Sequence, residues 1–305
     1  MNLFLRSVYL SSAMALVYIV LLYLSHPHRR VRSAPMLISF GLGMLAVIPV
    51  ILIERLIPGF AATETWSSVV AAPLVEEGVK LCIFLLTIWR LGYPTLIEPI
   101  DYAILFAVLG VGFGVYEDFW YVFHRSYPSW ISGEIGRFNE VFRWMAYARS
   151  FPGHLMFNAL AGFLLGWASR AKDIRTRGRW ILAAFATAVL AHSLFNATAS
   201  LSGTIPLWTL MVAYLGIFLA LRRQSLSQSP FQSLERLVEG GTDPWQHQQT
   251  PVEILFAEGY GWPGRPKRGF LQFFPLTLSL IILFPVLVSG MYFVHRMLVS
   301  VLPSG

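Results

Sequence analysis

Long apolar stretches constrain this chain more than any other feature of its sequence. Eight windows of mostly apolar residues recur along it, each close to the roughly 20 residues that one helix needs to cross a bilayer. Charged residues make up 13% of the chain, against about a quarter in soluble domains. We therefore predict an all-α fold, a polytopic membrane helix bundle with about eight transmembrane helices. The windows are residues 5–25, 36–56, 67–89, 101–123, 149–169, 180–200, 203–221 and 270–293.

The loops between these windows predict an orientation and a domain division. Lys and Arg residues are concentrated in the loops of one side, and that side is cytoplasmic under the positive-inside rule. Both termini are then expected outside the cytoplasm, in a multi-pass protein of the cell membrane. We expect a seven-helix membrane core at 1–222, a cytoplasmic linker at 223–269 and an appended transmembrane helix at 270–305.

Residues 124–148 form a longer connection on the predicted outer side. Phe138 and Phe142 fall on one helical face, and Arg137 and Glu140 fall on the other. Such an amphipathic pattern is typical of a helix that lies in the membrane interface. The sequence therefore predicts a single surface helix in this segment.

The formal charge of +7 and the single cysteine exclude little by themselves. The basic residues lie in short loops beside the spans, where they orient a membrane protein, and no DNA-binding motif is present. We therefore expect no nucleic-acid partner. Cys82 has no second cysteine with which to form an intrachain disulfide.

Ionisable and amide side chains inside four of the predicted spans are the main functional signal. A charged group deep in a bilayer costs at least about 2.5–3.5 kcal/mol, so several together require an explanation. The helical rise of about 1.5 Å per residue places Glu77, Glu117, His154 and His192 at depths of roughly 8–15 Å from the outer surface. We therefore predict that they converge on one site in the outer half of the membrane. They are Glu76, Glu77 and Lys80 in the third span, Glu117 in the fourth, His154 and Asn158 in the fifth, and His192 and Asn196 in the sixth.

This set of side chains can activate water. A Glu or a His takes a proton from a bound water, while imidazole and amide groups stabilise the oxyanion that forms at an attacked carbonyl. The predicted chemistry is peptide hydrolysis without a covalent intermediate. The catalytic candidates are Glu76, Glu77, Glu117, His154 and His192, and the oxyanion or supporting candidates are Lys80, Asn158 and Asn196.

Two other functions fit the same residues. Glu77, His154 and His192 form an acceptable zinc set with an open position for water. We expect no metal cofactor, because no compact zinc motif is present and Lys80 would repel a cation, and we keep zinc as the alternative. A proton- or ion-coupled carrier also places such groups in the membrane, but no internal repeat typical of carriers is visible.

The order of the four motifs resembles that of a known family. Glu-Glu-x-x-Lys, Phe-x-x-x-Glu, His-x-x-x-Asn and a final His, spread over residues 67–200, are similar to the motifs of the PrsW family of intramembrane proteases. That family is related to the CAAX-processing endopeptidases and the bacteriocin-immunity proteins. In the related endopeptidases a Glu and a His activate water, and a later His and Asn form the oxyanion hole. Glu76 and Glu77 match the first motif, whereas Glu117 stands where those relatives have His.

The resemblance implies a glutamic-type intramembrane endopeptidase. Its implied partners are the lipid bilayer and a membrane-anchored protein substrate. Proteins of that family make the first cut in membrane-anchored anti-sigma factors, outside the cytoplasm. An anti-sigma factor is therefore the substrate candidate, although the resemblance does not imply the substrate of this chain.

Two features have simpler interpretations. Glu54, at the end of the second span, is expected to mark the membrane interface. Gly110, Gly112 and Gly114 imitate part of a phosphate-binding loop, but on a membrane helix small residues at this spacing indicate close helix packing.

Overall fold

The described residues of this computed structural model are helical wherever they form regular structure, which confirms the all-α fold class. The structure describes residues 3–26, 33–57, 63–91, 96, 98–149, 152–201, 204–229, 288–294 and 297. The helices are α1 (Leu3–Leu24), α2 (Ser33–Leu56), α3 (Glu64–Trp66), α4 (Ala72–Leu91), α5 (Pro99–Ile131), α6 (Ile135–Arg149), α7 (Gly153–Arg170), α8 (Ile174–Leu201) and α9 (Thr204–Ser227), and a π-helical segment, Ser67–Ala71, joins α3 to α4.

Four of the described helices, α1, α2, α5 and α8, are long and apolar enough to cross a membrane. The first seven predicted windows all overlap described helices, and the total of eight spans stays a prediction. Helix α9 continues to Ser227, beyond the residue at which we ended the membrane core. Most of the predicted linker and most of the last window lie outside the described residues.

Helix α5 lies at the centre of the bundle, in contact with α1, α2, α6 and α7. Glycines permit the close approach of α2 and α5. A Cβ atom at Gly43 would overlap the backbone carbonyl of Leu109, and one at Gly112 would overlap that of Phe40. Gly112 therefore packs a helix crossing, as the sequence indicated, and the tight crossing fixes the depth of α5 relative to α2.

The segment 124–148 differs from its prediction as a single surface helix. Residues up to Ile131 continue α5 without a break, and α6 begins only at Ile135. Gly133 makes the turn with a φ of 74°, a conformation that favours glycine over residues with a side chain. The buried ring of Phe138 then packs at 5.1 Å from the ring of Trp130. Apolar periodicity could not locate this turn, because the pattern runs through both helices.

A local opening of the helix precedes the two adjacent glutamates. Pro73 has no backbone N–H to donate to the preceding turn, and residues Ser67–Ala71 adopt a π-helix there. The side-chain amide of Asn196 donates a hydrogen bond of 2.7 Å to the Ser68 carbonyl oxygen. π-Helical turns are frequent at functional sites. The hydrogen bond from Asn196 attaches α8 to this one, immediately before α4.

The glycine crossing yields a paired prediction. Gly43→Ala should lower the free energy of unfolding in detergent by about 1–3 kcal/mol, because the added methyl group overpacks a tight contact. Gly41→Ala is the matched control on the same helix, since no atom lies within 4 Å of the position its Cβ would occupy. Equal effects of the two substitutions would contradict the described approach of α2 to α5.

Candidate active site

Four helices bring the ionisable motif residues together. Glu76, Glu77 and Lys80 come from α4, Glu117 from α5, His154 from α7 and His192 from α8, and each has at least one of the others within 4 Å. The predicted convergence on one site is therefore met by all four motifs. The distances also show which side chains contact directly.

A continuous chain of polar contacts links five of the six ionisable residues, all but Glu76. Glu117 Oε2 lies 2.7 Å from His154 Nε2, and His154 Nδ1 lies 3.0 Å from Lys80 Nζ. Lys80 Nζ donates to Glu77 Oε1 at 2.6 Å, and the same oxygen lies 2.9 Å from His192 Nδ1. An ammonium can only donate, so His154 accepts at Nδ1 and donates from Nε2 to Glu117. His192 donates from Nδ1 to the Glu77 carboxylate.

Glu76 is held less tightly than its neighbour. Its Oε2 atom is buried and makes no hydrogen bond with any described residue, although it lies 3.9 Å from His192 Nδ1 and 4.0 Å from His154 Nε2. The Oε2 atom of Glu77 is likewise buried and makes no hydrogen bond with the described part of the chain. Buried carboxylate oxygens without a donor are costly, and a water molecule or a cation would satisfy both.

The donor set also fits a metal ion. One potential ligand atom from each of Glu76, Glu77, His154 and His192 lies within 4.8 Å of the others. Two imidazoles with carboxylates are an ordinary zinc set. The zinc alternative from the sequence named only Glu77, His154 and His192, and the structure adds Glu76. Lys80, at 2.6 Å from Glu77, is the group that opposes a cation here.

Aromatic side chains hold the two imidazoles. The ring of Phe157 stacks on that of His192 at 4.9 Å, and the ring of Phe113 meets His154 edge-on at 5.0 Å. Tyr214 donates a 2.7 Å hydrogen bond to the Ala191 carbonyl oxygen, next to His192. Sequence reasoning did not assign a role to Phe157 or Tyr214, because aromatic residues are common in every span.

The two candidate amides differ in their surroundings. Asn196 donates to Ser68 and lines a narrow pocket together with Glu117, His154 and His192. Asn158 is fully buried one turn after His154, and neither its Oδ1 nor its Nδ2 hydrogen-bonds with a described residue. Its Oδ1 lies beside Gly110, at 2.7 Å from the position of an added Cβ. Neither amide hydrogen-bonds with an imidazole of the described residues.

A second and larger cavity reaches the cluster from α2. Its volume is about 390 Å³, and it brings Glu54 together with Glu76 and Glu117. The sequence had assigned Glu54 to the membrane interface, because it lies at the end of the second predicted span. Its lining residues are Val47, Val50, Ile51, Glu54, Ser67, Ser68, Ala72, Glu76, Phe113, Tyr116, Glu117, Trp120 and Tyr121.

The family model described as PrsW family intramembrane metalloprotease matches residues 33–221. The chain belongs to this family. The match covers most of the chain and contains every candidate site residue, so the resemblance seen in the motifs is confirmed. No curated protein and no solved structure matches the chain. Membership of the PrsW family makes this protein an intramembrane protease, and it favours proteolysis over an ion-coupled carrier.

The contact between Glu77 and Lys80 predicts strong thermodynamic coupling. Glu77→Gln or Lys80→Met alone should each destabilise this PrsW family member by about 3–5 kcal/mol, because each leaves an uncompensated buried charge. The double variant should lose at least about 1 kcal/mol less than the sum. The measurement is reversible unfolding in detergent.

An exposed ion pair supplies the control for this cycle. Arg137 and Glu134 lie 3.5 Å apart, and both side chains are more than half exposed. Glu134→Gln with Arg137→Met should show coupling of about 0.5 kcal/mol or less. Coupling at the buried pair no larger than this would contradict the described contact.

Proposed function

We propose that this PrsW family protease hydrolyses a peptide bond of a membrane-anchored protein with a water molecule activated among Glu76, Glu77, His154 and His192. The observation that carries the proposal is the pair of buried carboxylate oxygens, on Glu76 and Glu77, that make no hydrogen bond with the described residues. The neighbouring donors already hydrogen-bond with other atoms: Lys80 and His192 with Glu77 Oε1, and His154 with Glu117. A water molecule in this position has an acceptor for its proton.

Glu76 is the proposed general base. Glu77 Oε1 accepts from both Lys80 and His192, which lowers its capacity to take another proton. Glu76 has no comparable hydrogen bond, so its Oε2 receives the proton of the attacking water and passes it to the leaving amine. Lys80 then serves to hold Glu77, as the charge partner expected from the sequence.

The imidazoles have separate proposed tasks. His192 donates its Nδ1–H to Glu77, and protonation of Nε2 gives a second N–H that can donate to the substrate oxyanion. His154 is oriented by Glu117 through Nε2, in the manner of a carboxylate that fixes the tautomer of a ligand histidine. Asn196 stabilises the π-helical segment through its hydrogen bond to Ser68. The side-chain amide of Asn158 lies next to α5 and stays a candidate for oxyanion stabilisation.

We further propose that the site holds a divalent metal, with zinc as the candidate. The family description and the fit of the donor set support it, in place of the metal-free form favoured from the sequence. In that form Glu77, His154 and His192 would be the ligands, so that His192 would hold the metal in place of its oxyanion role, and Glu76 would remain the base. A bound cation would polarise the water or the substrate carbonyl. Lys80 competes for His154 Nδ1 and is the main argument for the metal-free alternative.

The proposed substrate is a membrane-anchored protein cut near the extracytoplasmic surface, and an anti-sigma factor is the candidate that the family resemblance supplies. The placement rests on the positive-inside rule and on the estimated depth of the motif residues. Both termini are accordingly proposed to lie outside the cytoplasm.

The roles of the base and of His192 are tested by substitution. Glu76→Gln and His192→Ala should reduce cleavage by at least about 10²-fold, because they remove proton transfer or oxyanion stabilisation. The assay uses purified full-length protein in liposomes and a panel of synthetic single-span peptides with randomised residues at the outer membrane surface. Glu140→Gln, an exposed carboxylate on α6, is the control and should cleave like the wild type. Undiminished cleavage by both site variants would remove these residues from the mechanism.

Metal dependence is tested on the same peptide panel. Treatment with a strong chelator should remove about one equivalent of zinc and abolish cleavage, and added zinc should restore both. Bound metal is measured by elemental analysis before and after each step. Full cleavage by protein shown to be metal-free would establish the alternative, in which the carboxylates and imidazoles act alone.

A further inference from the structure

The cavity lined by Glu54 is large enough to hold a ligand group. Its 390 Å³ lies within the range of about 300–1,000 Å³ that is typical of ligand pockets. Most of its wall is apolar or aromatic, including Val50, Phe113 and Trp120. Such a wall suits the aliphatic part of a long side chain.

The described charged side chains of this wall are all acidic. Three carboxylates contribute to it, Glu54 from α2, Glu76 from α4 and Glu117 from α5, and no Lys, Arg or His is among the described residues that line it. Glu54 interacts electrostatically with both of the others, and also with the adjacent Arg55, which is not among the described lining residues. Glu76 is only 7% exposed, and its buried Oε2 has no hydrogen bond from a described residue. A cavity with this wall is complementary to a cation that has an apolar stem.

We propose that this cavity is the specificity pocket of the protease and that it receives a Lys or Arg side chain of the substrate beside the scissile bond. The inference rests on the proposed function, because it assigns a substrate class to the same site. The methylene groups of the basic side chain would lie along the apolar wall, as such stems do at membrane interfaces. Its charged end would meet Glu54, and the aromatic rings of the wall add cation–π attraction.

Glu54 is the residue that selects the charge. Glu117 is engaged by His154 at 2.7 Å, and Glu76 belongs to the group of potential metal ligands. Glu54 is not part of that group or of the contact chain that joins Glu117 to His192. A substitution there therefore alters the charge of the pocket without removing a member of the cluster.

The test measures sequence preference instead of total activity. The peptide panel is incubated with purified full-length protein in liposomes, and the cut bonds are identified by mass spectrometry. For the wild type, Lys and Arg should be enriched at one fixed position relative to the cut bond. Glu54→Gln should lower the ratio of basic to neutral residues at that position by about tenfold, since it removes a charged partner of a desolvated cation.

Three further variants separate charge from packing. Glu54→Asp keeps the charge and should keep the preference, whereas Glu54→Lys should replace it with a preference for Asp or Glu. Glu140→Gln removes an exposed carboxylate of α6 that does not line the cavity, and it should leave the profile of the wild type unchanged. A substitution that only loosened the fold would lower all cleavage and leave the ratio unaltered.

The outcomes distinguish this inference from the function on which it rests. If the wild type cuts no member of the panel, the proposed function fails. If the wild type cuts without enrichment of basic residues, the pocket assignment is wrong whatever the variants do. Enrichment that persists in both Glu54→Gln and Glu54→Lys would also overturn the assignment, since another group would then be reading the charge.

Discussion

The ion pair between Lys80 and Glu77 is the contact on which the site depends. Both side chains are fully buried, and an isolated charge in such surroundings is strongly unfavourable. Each partner of the pair offsets the charge of the other, and His154 and His192 complete the bonding of Nζ and Oε1. One short contact within a single helix therefore fixes the positions of imidazoles that come from two other helices.

The central helix supplies the rigidity that this contact requires. Residues of α5 are buried over most of its length, and its glycines let α2 and α7 approach it at backbone distance. Gly110 and Gly114 lie against the backbone and ring of His154, so side chains there would displace the imidazole. The small residues that resembled a phosphate loop in the sequence are thus part of the packing that positions a candidate catalytic residue.

Sequence reasoning identified the ionisable cluster because each motif places a polar group in an apolar span, where its cost is conspicuous. It could not find Glu54, whose position near the end of a span has an adequate explanation at the interface. It also missed the turn at Gly133 and the hydrogen bond of Asn196, since apolar periodicity continues through the first and tertiary packing decides the second. The motif residues were therefore predictable, while the cavity beside them required three-dimensional structure.

A second buried polar cluster shows why burial of charge alone does not define an active site. His26 Nε2 lies 2.8 Å from Glu98 Oε2, and the backbone N–H of Glu98 donates to Asp101 Oδ2 at 2.8 Å. These carboxylates lie at the N-terminus of α5, where a negative charge offsets the helix dipole and caps free N–H groups. Ser225 accepts a hydrogen bond from the N–H of Ile100 in the same place. Helix capping accounts for this cluster, whereas no helix terminus accounts for Glu76 and Glu77 in the interior of α4, and their chemistry has to be explained by function.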